Sequence, residues 1–116
     1  MHELSIALSI IEMATEESEK RGGASVEAVY LKLGALSGVV KDALEFSWEI
    51  ACQGTNLENS RLEIEEIPVV VFCENCQSEK TLGAINNVVC PDCETPATEI
   101  ISGKELQVTA LEIEEI

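Results

Sequence analysis

The pattern Cys73-x2-Cys76-x13-Cys90-x2-Cys93 constrains this chain more than any other feature. Each C-x-x-C pair can bend into a tight knuckle that turns both sulfurs toward one point. Four thiolates at this spacing suit a closed tetrahedral Zn²⁺ site with Zn–S bonds of about 2.3 Å. The chain has five cysteines, which leaves Cys52 over. An odd count, paired C-x-x-C motifs and a start without a basic, apolar and cleavage-site sequence favour zinc over a disulfide framework. The expected setting is therefore cytoplasmic, with Met1 as the native start. Redox C-x-x-C motifs are the rival, but they come as a single pair at a helix start. Here Gln77-Ser78 follows Cys76 and Pro91-Asp92 follows Cys90, so neither pair opens an obvious helix. A four-sulfur zinc keeps no open position for water or substrate. It explains what holds part of the protein together, and the function has to be sought elsewhere.

The rest of the chain reads as a small aliphatic α/β protein. Its 116 residues allow one domain plus a small module, and aromatics make up only 3%. Leu4, Ala7, Leu8, Ile11 and Ala14 follow helical spacing, widened by Ile6, Ile10 and Met13, which predicts a helix over 4–21. Gly22-Gly23 ends it, with Lys20-Arg21 where the helix dipole favours cations. Residues 26–33 alternate as a strand, 41–51 form a second helix closed by Gly54, and 62–67 form a second strand stopped by Pro68. Thr81-Leu82 and Val88-Val89 around Asn86-Asn87 suggest a ribbon hairpin, and 105–116 a third long strand. Leu62-Glu63-Ile64-Glu65-Glu66-Ile67 recurs as Leu111-Glu112-Ile113-Glu114-Glu115-Ile116. The repeat predicts two amphipathic strands of one sheet, out of matching register because facing glutamates repel. The expected architecture is two helices on a small mixed β-sheet with an inserted four-cysteine zinc ribbon. The first domain would span 1–68 plus the terminal strand 103–116, and the ribbon 69–102.

Charge narrows the partners. The formal net charge is −15, from 22 acidic and 7 basic residues, and four thiolates around Zn²⁺ would add −2 more. Such a chain repels phosphate backbones, and it has no Lys/Arg cluster interleaved with aromatics, so nucleic acid is not expected as a partner. No apolar run approaches the roughly 20 residues that cross a bilayer. Enzymatic chemistry is not expected either, because the only histidine is His2, far in sequence from any candidate nucleophile. Cys52, near the end of the second helix, reads as a small core residue. The position of His2 is distinctive. The Met1 amine, the His2 backbone nitrogen and the His2 imidazole are three nitrogen donors in one chain end, and the Glu3 amide or an outside ligand can supply a fourth. Nitrogen donors in a square plane suit Ni²⁺ or Cu²⁺. An exposed terminal histidine without a ligand role is the alternative.

These residues carry a resemblance. Met1-His2-Glu3-Leu4-Ser5-Ile6, the stretch Leu31-Lys32-Leu33-Gly34-Ala35-Leu36-Ser37-Gly38-Val39, Cys52-Gln53-Gly54-Thr55, the four-cysteine ribbon and Gly103-Lys104-Glu105-Leu106 occur in order. Together they resemble the hydrogenase nickel-incorporation family, HypA/HybF, over essentially the whole chain. The resemblance implies a nickel metallochaperone that delivers Ni²⁺ to the hydrogenase large subunit precursor with a nickel-maturation GTPase. In some organisms it serves urease through a urease accessory protein. It implies nickel ligation at Met1 and His2 with support from Glu3, and structural zinc on Cys73, Cys76, Cys90 and Cys93. One departure is Val40, which stands where some relatives have a carboxylate, with Asp42 close by in sequence. The ribbon also lacks histidines. A zinc-stabilised interaction module without nickel transfer is the alternative function. Monomer and homodimer both remain open, since the terminal strand could exchange between protomers.

Overall fold

The computed structural model describes residues 2–83 and 88–114. Its elements run α1 (Glu3–Lys20), β1 (Ser25–Gly34), α2 (Lys41–Cys52), β2 (Arg61–Ile67), β3 (Val69–Cys73), β4 (Ser78–Leu82), β5 (Glu99–Ser102) and β6 (Leu106–Glu114). They form two three-stranded sheets, ordered β2-β1-β6 and β4-β3-β5. The first sheet is mixed. The Ala35 N–H donates to the Ile67 carbonyl and the Ser60 hydroxyl to the Val26 carbonyl, so β1 and β2 run parallel, with α2 in the crossover. The Gly34 N–H donates to Glu105 and the Thr109 hydroxyl to Tyr30, so β6 runs antiparallel to β1. The chain divides into two units: Met1–Lys32, Val39–Glu65 and Gln107–Ile116 make one, Leu33–Gly38 and Glu66–Leu106 the other.

The first unit buries Ala7, Ile10, Ile11 and Ala14 of α1 with Val26, Val29 and Leu31 of β1 and Leu44, Trp48 and Cys52 of α2. The buried face of α1 is rotated from the sequence expectation. Leu4 and Leu8 stay 47% and 51% exposed, while Ile10 and Ser18 are covered. Ile10 belongs to the same helical stripe as Ala7 and Ala14, and the small alanines on that stripe let α1 lie close to its neighbours. The helix ends in a doubly bonded glycine cap. Gly22 N–H donates to Glu19 and Gly23 N–H to Ser18, with φ of 77° and 84°, which relieves the last carbonyls. In α2, the Trp48 indole N–H donates to the Ser60 carbonyl at 3.1 Å, so the single tryptophan is buried with its polar atom satisfied. The two repeat strands are the opposite edges of this sheet, kept apart by β1. Their glutamates are therefore not cross-strand neighbours, and Arg61 spans to Glu112 at 2.9 Å. Residues 115–116 of the repeat lie outside the described residues.

The second unit has a smaller apolar core. Val69, Val71 and Leu82 are buried, with Leu36, Val88, Ala97 and Ile100 packed against them. Among the described residues these few apolar side chains do little to offset the ordering of the segment around them, so a cross-link here would add to the stability of the unit. Its sheet is antiparallel, with Val69 facing Leu82 and Cys73 facing Ser78. Among the described residues, Thr81-Leu82 and Val88-Val89 do not pair with each other as the expected hairpin would have them. Thr81 and Leu82 pair with Val70 and Val69, while Val89 pairs with Pro96. Each pairing closes around a cysteine knuckle, because the knuckles themselves are the tight turns. Asn86 and Asn87 lie outside the described residues. Gly34 and Gly103 meet at the edge of this unit. A Cβ on Gly34 would stand 2.2 Å from the Gly103 carbonyl carbon and oxygen, so only glycine allows this approach.

Candidate metal centres

The four motif cysteines converge. Their Sγ atoms all lie within 4.8 Å of one another. Cys73 and Cys93 are 3.5 Å apart at sulfur, Cys76 and Cys90 3.9 Å. A tetrahedron with 2.3 Å metal–sulfur bonds has edges of about 3.8 Å, so the cluster fits a closed four-thiolate site. Cys73 and Cys90 are buried and Cys76 and Cys93 half-buried.

The two knuckles are built alike. Cys73 ends β3 and Cys76 precedes β4, and the Cys76 N–H points at the Cys73 sulfur at 3.4 Å. In the second knuckle the Glu94 N–H donates to the Cys90 carbonyl and the Cys90 N–H to the Thr95 carbonyl, both at 2.9 Å. Each knuckle needs a left-handed residue after its second cysteine. Gln77 (φ 52°) and Glu94 (φ 61°) take that conformation although neither is glycine. The Gln77 side chain reaches back to the Glu74 carbonyl, which helps to fix the first turn.

Four sulfurs this close cannot all ionise freely, because like charges oppose one another. The site therefore ionises unevenly. The Thr95 hydroxyl and then the Asn75 side chain hold the Cys93 thiol down to about 5. Hydrogen bonding to Cys93 and then Cys73, with desolvation, pushes Cys76 up to about 12. A divalent cation among the sulfurs removes that conflict by binding all four as thiolates. The site is thus chemically complete for a soft or borderline divalent metal, with no water position. The sequence pattern contained the four converging cysteines but not their surroundings. Asn75, Thr95, Lys80 and Asp92 carry no motif signal, although all lie within a few residues of a cysteine.

The chain end forms the second candidate. Met1 lies outside the described residues. His2 is the N-cap of α1, with extended backbone (φ −85°, ψ 92°), and its side chain makes no capping hydrogen bond. It is exposed, and its carbonyl accepts the Ile6 N–H at 3.2 Å as the helix begins. Glu3 opens the helix, and its Oε2 accepts the Val40 N–H at 3.2 Å. That bond, chiefly, holds the Glu3 carboxyl below the usual glutamate range. Val40 is the N-cap of α2, where a carboxylate is favoured by the exposed amides and the helix dipole. The position that lacks an acidic side chain thus offers its backbone N–H to Glu3. Asp42 lies in the first turn of α2 and is exposed. Cys52 belongs to neither centre. It sits in the first unit's core, where burial raises its thiol to about 11.

Comparison with known proteins extends these observations. The family model described as hydrogenase/urease nickel incorporation, metallochaperone, HypA, matches residues 1–113. A hydrogenase maturation factor HypA of Roseiflexus sp. (strain RS-1) is 48% identical over 115 residues, covering 99% of this chain and 94% of the relative. One from Chloroflexus aggregans is 50% identical over 112 residues, covering 97% and 98%. The solution structure of the Ni metallochaperone HypA from Helicobacter pylori matches over 100% of both chains, with a TM-score of 0.66 and 24% identity. A likeness at that identity speaks for the fold.

Proposed function

The chain belongs to the HypA family of hydrogenase nickel-incorporation metallochaperones, and we propose that it carries Ni²⁺ on its own N-terminus. In this reading the ligands are the Met1 amine, backbone nitrogen and the His2 imidazole, with Glu3 as the supporting carboxylate. The cargo passes to a hydrogenase large subunit precursor, with a nickel-maturation GTPase as partner. Urease, through an accessory protein, is a second client class in this proposal. Zn²⁺ on Cys73, Cys76, Cys90 and Cys93 is structural.

One observation carries the nickel reading. His2 is exposed at the start of α1, its imidazole makes no cap bond, and the adjacent Glu3 is tied to Val40. The free ring can therefore swing to a metal without dismantling any packing, while Glu3 anchors the residue next to it. The location also favours release. A cation at a helix N-terminus sits at the positive end of the dipole, at a cost of about 0.3–1 kcal/mol. The ionised Glu3 offsets part of that cost. An exposed site of this kind binds through its nitrogens yet lets a partner replace them one at a time. The terminal amine and imidazole must be unprotonated to bind, so loading releases protons.

The direct test is calorimetry of Ni²⁺ binding to metal-loaded, untagged parent and His2→Ala. The variant should keep fold and zinc content while its nickel affinity falls at least about tenfold, roughly 1.4 kcal/mol. Equal affinity would remove His2 from the site and leave the interaction-module alternative.

A further inference from the structure

The four-sulfur centre has a neighbour that its ligand motif does not include. With Zn²⁺ in place, four thiolates leave a net charge of −2 inside a chain that is already at −15 and has only 7 basic residues. One of those residues, Lys80, is spent here. It lies on β4, in register with Val71 of β3, shortly after the first knuckle. Its ammonium reaches Asp92 Oδ2 at 2.6 Å. Asp92 stands between Cys90 and Cys93, so the bond ties the second knuckle to the strand that leaves the first. The Lys80 side chain is only 21% exposed, against 69% for Lys20 and 54% for Arg61 in their ion pairs. Besides Asp92, Cys76 and Cys90 act on it through space once they are thiolates, as they would be around a metal. Each of these sulfurs comes from a different knuckle.

We propose that Lys80, anchored by Asp92, is the positioning cation of the four-sulfur centre, and that it sets how long the bound metal is retained. Its charge offsets the surplus negative charge of a tetrathiolate site, and its bond to Asp92 holds the two knuckles at the spacing one metal requires. Groups around a metal's ligands typically change affinity by about 10–100-fold when removed. Asp92 alone would add a third negative charge to the site. The pair instead brings a cation to the sulfurs and keeps the carboxylate outward, where it is 65% exposed.

This inference rests on the reading that the four cysteines hold a divalent metal, and one experiment separates the two. Protein purified with its metal is assayed for metal content, then challenged with the chelator 4-(2-pyridylazo)resorcinol while release is followed by absorbance. Lys80→Met, which keeps the stem and removes the charge, should release metal about tenfold faster than the parent. Lys80→Arg should restore slow release to within about threefold, because it keeps the charge and can pair with Asp92. Asp92→Asn, which frees the ammonium, should fall between. Added salt should speed release from the parent more than from Lys80→Met, because only the parent has this charge to screen. Parental release rates in Lys80→Met, or Lys80→Arg releasing as fast as Lys80→Met, would overturn the proposal while leaving the metal site intact. A parent that carries no metal at all would overturn both.

Discussion

Replacing Gly34 with alanine tests the packing argument most severely. The new Cβ would meet the Gly103 carbonyl carbon and oxygen at 2.2 Å and the Glu105 nitrogen at 2.6 Å. All three are backbone atoms, so no side chain can rotate away. Restoring an ordinary carbon contact of roughly 3.5–4 Å requires the segments to separate by more than about 1 Å. That movement stretches two short bonds, Gly34 N–H to the Glu105 carbonyl at 2.7 Å and Leu36 N–H to the Gly103 carbonyl at 2.6 Å. Overpacking of this kind costs about 1–3 kcal/mol, and each lost backbone hydrogen bond about 1 kcal/mol more. The expected loss is about 3–5 kcal/mol, a large share of the roughly 5–15 kcal/mol that stabilises a domain. In a chain of this size the thermal midpoint should fall by about 10–20 °C. Thermal unfolding followed by far-ultraviolet circular dichroism measures it. Gly83→Ala is the control, since a Cβ there meets nothing within 4 Å. A Gly34→Ala midpoint within about 2 °C of the parent would refute the close approach of these two glycines.

Two further outcomes follow from the same structure. Cys90 has no exposed surface, and Cys90→Ser should lose the metal and the dispersed amide signals of Glu66–Leu106, while the helical signal of α1 and α2 persists; full metal content with unchanged signals would contradict the four-sulfur site. Glu27 has its carboxyl raised above the usual range, first by hydrogen bonding to the Glu114 side chain and then by burial and the charges of Glu114 and Glu112. A raised carboxyl stabilises the fold only while protonated, so its contribution is present in acid and is lost as pH rises through the folded value. Glu27→Gln should therefore unfold at a higher temperature than the parent at pH 7, with the gap closing as pH falls below the ordinary glutamate range; a gap that widens in acid would reverse this assignment.

The sequence showed most where chemistry and spacing are local. The C-x-x-C pairs marked the four sulfurs that converge because each pair spans one turn, and the extent of α1, β1, α2 and β2 followed from apolar periodicity within a single element. What escaped depends on contacts made over longer distances. Thr81-Leu82 and Val88-Val89 look like two arms of one hairpin, but each pairs across a different knuckle. Leu4 and Leu8 fit the helical pattern yet stay exposed, because pattern alone does not say which edge of an apolar stripe meets the core. The Glu3–Val40 bond joins residues 37 apart, and its acceptor meets a backbone group that any residue at position 40 except proline supplies. Lys80 and Asp92 are 12 residues apart and belong to no motif. Gly34 is one of seven glycines, and nothing local in the sequence marks its close approach to Gly103, 69 residues later.

The central claim is that nickel is carried on the chain end itself, and one comparison tests it. A Gly-Ser extension before Met1 turns the terminal amine into a peptide nitrogen and leaves His2, the cysteines and the packing of α1 untouched. The same extension after Ile116 leaves the amine free. Calorimetric titration of both zinc-loaded proteins with Ni²⁺ should give much weaker binding for the N-terminal extension and near-parental binding for the C-terminal one, with equal zinc content and equal helicity. Equal nickel affinity in the two proteins would show that the Met1 amine is not an essential ligand and would contradict the account.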